Sequence, residues 1–176
     1  PQLTGQENSW EIHGMHYNSA GIAQGTEFKV NTFTANDQAW SSVASLSNGD
    51  FVVTWNSTNQ DGSSEGVYGQ RYNSMGAAQG AEFRINTTTA NAQQFPSVTG
   101  LSNGDFVATW MSQGQDGSGW GVYGQRYSSA GLAKGSEFQI NTGTTGQQFD
   151  PNIKSLSNGD FVVTWTSASQ GTVATE

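Results

Sequence analysis

Apolar residues in this chain come in short runs rather than at helical spacing. Phe-Val-Val-Thr-Trp at 51–55, Phe-Val-Ala-Thr-Trp at 106–110 and Phe-Val-Val-Thr-Trp at 161–165 show almost no polar alternation. That is the pattern of a strand buried on both faces. Gly-Val-Tyr-Gly-Gln-Arg-Tyr at 66–72 and 121–127 alternates instead, with Val67, Gly69 and Arg71 on one face and Tyr68, Gln70 and Tyr72 on the other. Glycine-rich turns such as 74–80 separate the runs. No segment sustains a period of 3.6, so the pattern predicts an all-β chain.

The runs repeat. Leu-Ser-Asn-Gly-Asp stands at 46–50, 101–105 and 156–160, and Trp55, Trp110 and Trp165 keep the same 55-residue spacing. So do Glu27-Phe28, Glu82-Phe83 and Glu137-Phe138, each leading into Asn-Thr. Each unit reads as four strands: a (26–32, 81–87, 136–142), b (42–46, 97–101, 152–156), c (51–55, 106–110, 161–165) and d (66–72, 121–127, with a degenerate copy at 11–17). Asn-Gly between b and c is a hairpin signal, supplying the positive φ angles of a tight turn. The units are 18–72, 73–127, and 128–176 completed by 1–17, all within one repeat domain.

Four antiparallel strands per unit predict a β-propeller-like fold. The permutation, with d at the start and a, b and c at the end, fits a ring whose last blade is shared between the termini. Three blades are fewer than a closed ring normally holds. Two chains completing a six-bladed ring would resolve this, and so would a place in a longer array of repeats; a ring of two chains or a head-to-tail assembly makes the chain a homo-oligomer. A β-trefoil or a β-prism counts in threes without that device. The chain opens Pro1-Gln2-Leu3 rather than with Met, the expectation for a processed chain or an excised fragment.

The pattern from Gly-Val-Tyr-Gly-Gln-Arg-Tyr through Glu-Phe, Asn-Thr and Leu-Ser-Asn-Gly-Asp-Phe-Val to Gln-Asp-Gly-Ser resembles the tandem β-repeats of about 55 residues found in large secreted bacterial proteins of RTX- or adhesin-associated type. The resemblance covers nearly the whole chain. It implies an extracellular bacterial setting and a repeat-built surface, and no particular reaction.

Composition narrows the classes. The chain has 14 acidic against 6 basic residues, a net charge of −8, and only 11% charged residues. An acidic surface argues against nucleic acid and against anionic lipid. No apolar run is long enough to insert in a membrane as a helix. Cysteine is absent, which excludes disulfides, thiolate metal sites and cysteine nucleophiles. Ser, Thr, Asn and Gln must cover the surface, as expected of a secreted protein.

Residues present in every unit first solve the folding problem of that unit. Asp50, Asp105 and Asp160 are expected in turns, and Arg71 and Arg126 in bridges with the Glu of strand a. His13 and His16 are three apart on a strand, on opposite faces, and make a poor metal pair. Asn56-Ser57-Thr58 and Asn86-Thr87-Thr88 match the N-glycosylation pattern, expected to be chance.

The c–d loops carry Gln60-Asp61-Gly-Ser and Gln115-Asp116-Gly-Ser, and Trp10 stands in register with Trp120. Long polar loops on a rigid scaffold are where binding concentrates. Aromatic rings beside Gln and Asp suit a sugar. The candidate ligand residues are therefore Trp10, Gln60, Asp61, Gln115, Asp116 and Trp120. Asp61 and Asp116 also offer hard oxygens to calcium, although one Asp per loop is thin for a tight site.

No Ser-His-Asp order or phosphate loop stands out. The expected function is a non-enzymatic, lectin-like module binding a glycan or extracellular polysaccharide. A self-assembling structural protein is the alternative, and a glycoside hydrolase-like propeller the third reading.

Overall fold

The computed structural model describes residues 9–168. Among them there are twelve strands and no helix: β1 (His13–Gly14), β2 (Phe28–Lys29), β3 (Gln38–Ser45), β4 (Phe51–Thr58), β5 (Glu65–Tyr72), β6 (Phe83–Arg84), β7 (Gln93–Gly100), β8 (Phe106–Gln113), β9 (Trp120–Tyr127), β10 (Ala133–Gln139), β11 (Gln147–Ser155) and β12 (Phe161–Ala168). No helix of the described residues is long and apolar enough to cross a membrane.

The chain is all-β and propeller-like. Two four-stranded antiparallel sheets, β3-β4-β5-β6 and β7-β8-β9-β10, are complete blades. Two further pairs, β1-β2 and β11-β12, are half-blades. Strand a therefore joins the sheet of the preceding unit, pairing with its d strand, and the sheets are offset by one strand from the units at 18–72 and 73–127. Residues 1–8 and 169–176, assigned to the third unit, lie outside the described residues.

Each b–c hairpin closes with Leu46 N–H donating to Asp50 O at 2.7 Å and Gly49 N–H to Leu46 O at 3.0 Å. Only the glycine adopts positive φ (86° at Gly49), so this is a three-residue turn rather than a two-residue one. Asn48 holds it by accepting from Asp50 N–H and donating to the Asp50 carboxylate.

The blades pack face to face, and the core lies between them. One cluster joins Leu46, Val52, Val67 and Ile85 to Val98, Phe106, Trp110 and Tyr127. A second joins Ile12 and Val30 to Val53, Trp55 and Tyr72. Trp55 and Trp110 are fully buried, and truncating an indole so placed costs about 3–5 kcal/mol. The innermost strands β3, β7 and β11 run side by side. Val98 N–H donates to Ser42 Oγ and Ile153 N–H to Ser97 Oγ, both at 3.2 Å. A methyl added at Gly100 would sit 2.1 Å from Ser45 O, which requires glycine there. This side-by-side stacking of sheets sets aside the trefoil and the prism.

Buried amides join successive blades. Asn86 Oδ1 accepts from Val67 N–H at 2.7 Å in one blade, while its Nδ2 donates to Gln93 Oε1 at 3.0 Å in the next. Asn31 with Gln38, and Asn141 with Gln148, repeat the arrangement. Each of these amides is buried, and a buried amide is tolerated only when its hydrogen bonds are made. Farther out, the Tyr72 hydroxyl donates to Val30 O at 2.9 Å and that of Tyr127 to Ile85 O at 2.7 Å.

The expected Arg–Glu bridges do not form. Arg71 donates to Ala130 O at 2.8 Å, and Arg126 lies 3.8 Å from Asp105. Lys134 also bonds Asp105, at 2.7 Å, and holds its carboxyl below the ordinary value. Glu82 and Glu137 instead accept from the Thr of the preceding blade: Thr32 N–H at 2.8 Å and Thr87 N–H at 2.7 Å. Each carboxylate is met by the backbone N–H and the hydroxyl of one Thr, and each Arg is used elsewhere.

Replacing Asn86 with Ala leaves the Val67 N–H and the Gln93 carbonyl unpaired in the interior. The expected loss is about 3 kcal/mol or more in urea unfolding, larger than for an exposed Asn→Ala change.

Burial, with the Glu82 carboxylate second, pushes the Tyr72 phenol up to about 12. Burial and Glu137 raise Tyr127 as well, with Arg84 opposing. The neutral phenol is the form the fold favours. Its contribution is fully present below the ordinary value of 10.0 and lost as pH rises through about 12. Replacing Tyr72 and Tyr127 together with Phe should flatten the alkaline fall in the denaturant midpoint. An alkaline limb as steep as that of the parent would contradict this.

Candidate functional site

Each inner strand carries a bulge in the same place. Pairing shifts between Ala39 and Ser42, between Gln94 and Ser97, and between Phe149 and Asn152. The residue in the bulge has a left-handed backbone each time: Trp40 (φ 58°), Phe95 (φ 53°) and Asp150 (φ 54°). Such a conformation is strained for a bulky side chain, and strain of this kind concentrates at functional positions. Bulges serve to re-aim a side chain. The backbone repeats at these three positions while the chemistry changes, from indole to phenyl to carboxylate.

The three bulges come together at one end of the inner strands. The Trp40 and Phe95 rings lie 4.8 Å apart between centroids, tilted by 48°. Trp40 is 58% exposed. With Ser41, Pro96, Asp150 and Asn152 these rings line an open hollow of about 340 Å³. A second hollow of about 410 Å³, lined by Met111, Trp120, Gln147 and Phe149, shares Phe95 and Asp150 with the first. Phe95 is fixed from behind, its N–H donating to Asn56 Oδ1 at 3.0 Å. Together the hollows form an axial mouth lined by aromatic rings and a carboxylate.

The residues singled out in the sequence divide between this mouth and the loops around it. Trp120 lines the second hollow, its N–H donating to Gln147 Oε1 at 3.0 Å. Trp10 is exposed on the first half-blade, its N–H donating to Asp37 at 2.9 Å. Glu65 occupies the same repeat position and binds Gln94 on the next inner strand. Gln60 and Gln115 instead donate to Glu82 and Glu137, each at 2.5 Å. Asp61 accepts from Ser63 N–H and Asp116 from Ser118 N–H, both at 3.1 Å. The two glutamines brace the c–d loops against the outer strands, and the two aspartates close the turns within those loops. Burial first, and then the Asp61 carboxylate, raises the Tyr68 phenol; burial and Asp116 do the same at Tyr123.

Asp61 and Asp116 stand in separate loops. Among the described residues no three His, Asp or Glu side chains gather as a metal site would require. His13 sits 2.8 Å from Glu27, a surface pairing. Asn56 and Asn86 are buried, out of reach of glycosylation.

No protein-family model matches the chain, and no curated relative does. Among solved structures the fold is similar to an endo-arabinase from Bacteroides thetaiotaomicron VPI-5482, with a TM-score of 0.50 and 12% sequence identity over 88% of this chain. The chain spans 64% of that protein's length. Identity this low speaks to the fold, and it supports the propeller-type architecture. It also corrects the expectation of a chain without enzymatic activity. The fold is one on which an enzyme is built, so it gives no ground for leaving catalysis out.

Proposed function

We propose that the chain engages carbohydrate at the axial mouth, in the extracellular setting its composition and repeat resemblance imply. The observation that carries this is the bulge set, which holds Trp40, Phe95 and Asp150 in left-handed backbone conformations around one hollow. An aromatic face takes the apolar C–H side of a sugar ring. A carboxylate accepts from its hydroxyls, and charge-assisted bonds of this kind are the stronger ones. Trp120 in the adjoining hollow extends the platform, which suits a polysaccharide more than a single sugar.

A hydrolytic reading of the same mouth is favoured by the likeness to an endo-arabinase. Glycoside hydrolysis commonly uses two carboxylates flanking the bond. Asp150 supplies one of them.

Affinity electrophoresis through gels containing pentose and hexose polysaccharides tests binding, and release of reducing ends tests hydrolysis. Retardation by at least one polysaccharide is expected. Trp40→Ala should weaken it by about tenfold or more without lowering Tm, because an aromatic anchor carries most of such a contact. Absence of retardation by any polysaccharide would defeat the proposal. Binding without reducing-end release would leave only the first reading.

A further inference from the structure

The two half-blades are the two halves of one blade. β11-β12 has the sequence of strands b and c, and β1-β2 that of d and a. Among the described residues they are separate sheets, each with an unpaired edge where the complete blades continue.

The surfaces flanking those edges show what is missing. Trp165 is 38% exposed, whereas Trp55 and Trp110 are 0% exposed. Tyr17 is 57% exposed, whereas Tyr72 and Tyr127 are 4% exposed. Val43 on the first inner strand is 65% exposed, and its counterpart Val98 is 4% exposed beneath β3. A groove of about 350 Å³, lined by Ile12, Gly14, Phe28, Val43, Phe51 and Val53, lies between the first half-blade and the first complete blade. Strands b and c of a preceding blade would fill that position.

The polar contacts between blades are unmet in the same places. Glu82 binds Thr32 and Glu137 binds Thr87, while Glu27 turns to His13. Tyr72 and Tyr127 bond carbonyls of the preceding blade, while Tyr17 has no such bond among the described residues.

We propose that a second copy of this chain fills the groove, its β11-β12 pair completing the blade begun by β1-β2, and that the exchange is reciprocal. Complementarity selects the occupant, since the β11-β12 pair supplies the b and c strands that β1-β2 lacks, and the ring size is consistent with it. Each chain contributes three blades, two copies make six, and closed propellers hold about four to eight. A third copy would exceed that range.

The register follows from the complete blades, where Phe51 faces Tyr72 and Trp55 faces Tyr68. Phe106 faces Tyr127 and Trp110 faces Tyr123 in the same way. Phe161 then faces Tyr17 of the second copy, Val162 faces His16, Thr164 faces Gly14 and Trp165 faces His13. Glu27 of one copy reaches Thr142 of the other, and the Tyr17 hydroxyl reaches Ile140 O. The axial mouth becomes continuous, with Trp40, Phe95 and Asp150 each present twice.

The chain has no cysteine, so single cysteines report this pairing directly. Val162→Cys and His16→Cys are made in separate full-length chains, mixed after brief unfolding and oxidised without added glycan. The expected product is a covalent heterodimer joined between positions 162 and 16. Val162→Cys mixed with Met15→Cys, one residue out of register and on the other face, should not couple.

The double variant His16→Cys/Val162→Cys shows whether closure occurs within one chain. An intrachain disulfide in a monomer would overturn the proposal. So would a monomer with no coupling, the result expected if further repeats of a longer chain occupy the groove. Glu27→Ala and Tyr17→Phe change exposed side chains and should leave the fold intact while weakening the dimer at least tenfold. An unchanged dimer dissociation constant in both would also count against it. None of these readouts depends on carbohydrate, so they stand or fall separately from the proposed function.

Discussion

The structure depends on a buried amide that belongs to two blades at once. Asn86 accepts a backbone hydrogen bond from strand β5 and donates to Gln93 on β7, and the Asn31–Gln38 and Asn141–Gln148 pairs do the same at the other junctions. An apolar contact at that place would let the sheets slide, because burial has no preferred direction. The amide pair fixes both the angle and the register. It requires every donor and acceptor to be met, so each junction is reproduced almost atom for atom along the chain.

That repetition explains the composition. Few charges are needed because neighbouring blades are joined by amides, hydroxyls and backbone groups. The acidic residues of the repeat are used in turns and at blade junctions, as Asp50 and Glu82 show. The net charge of −8 is thus in large part a structural pattern multiplied along the chain. Where the repeat is released, as in the bulges of the inner strands, the backbone stays the same and the side chains diverge. Phe95 carries its strained backbone on β7, which is flanked by β3 on one side and β11 on the other.

Much of this was legible in the sequence. The spacing of Leu-Ser-Asn-Gly-Asp and the apolar run ending in Trp placed strands b and c and the hairpin between them. The sheet to which strand a belongs was not legible, since a cyclic repeat can be cut anywhere and β2 and β6 contribute only two paired residues each. Trp120 marks the mouth in the sequence, but the bulge residues were missed for a different reason. Strand b was read from position 42 onward, and no propensity rule anticipates positive φ at a tryptophan or a phenylalanine. One signal was present: the residue before Ser41-Ser42, Pro96-Ser97 and Pro151-Asn152 changes from Trp to Phe to Asp while its surroundings repeat. Gln60, Asp61, Gln115 and Asp116 were drawn to attention by their repetition, and the structure uses that repetition to brace the loops.

If the proposed strand exchange occurs, one chain is half of a closed propeller. Its solution mass, from light scattering or sedimentation at micromolar concentration, tests this most directly. A single species of twice the 18.7 kDa chain mass is expected. A stable species at the mass of one chain would contradict it.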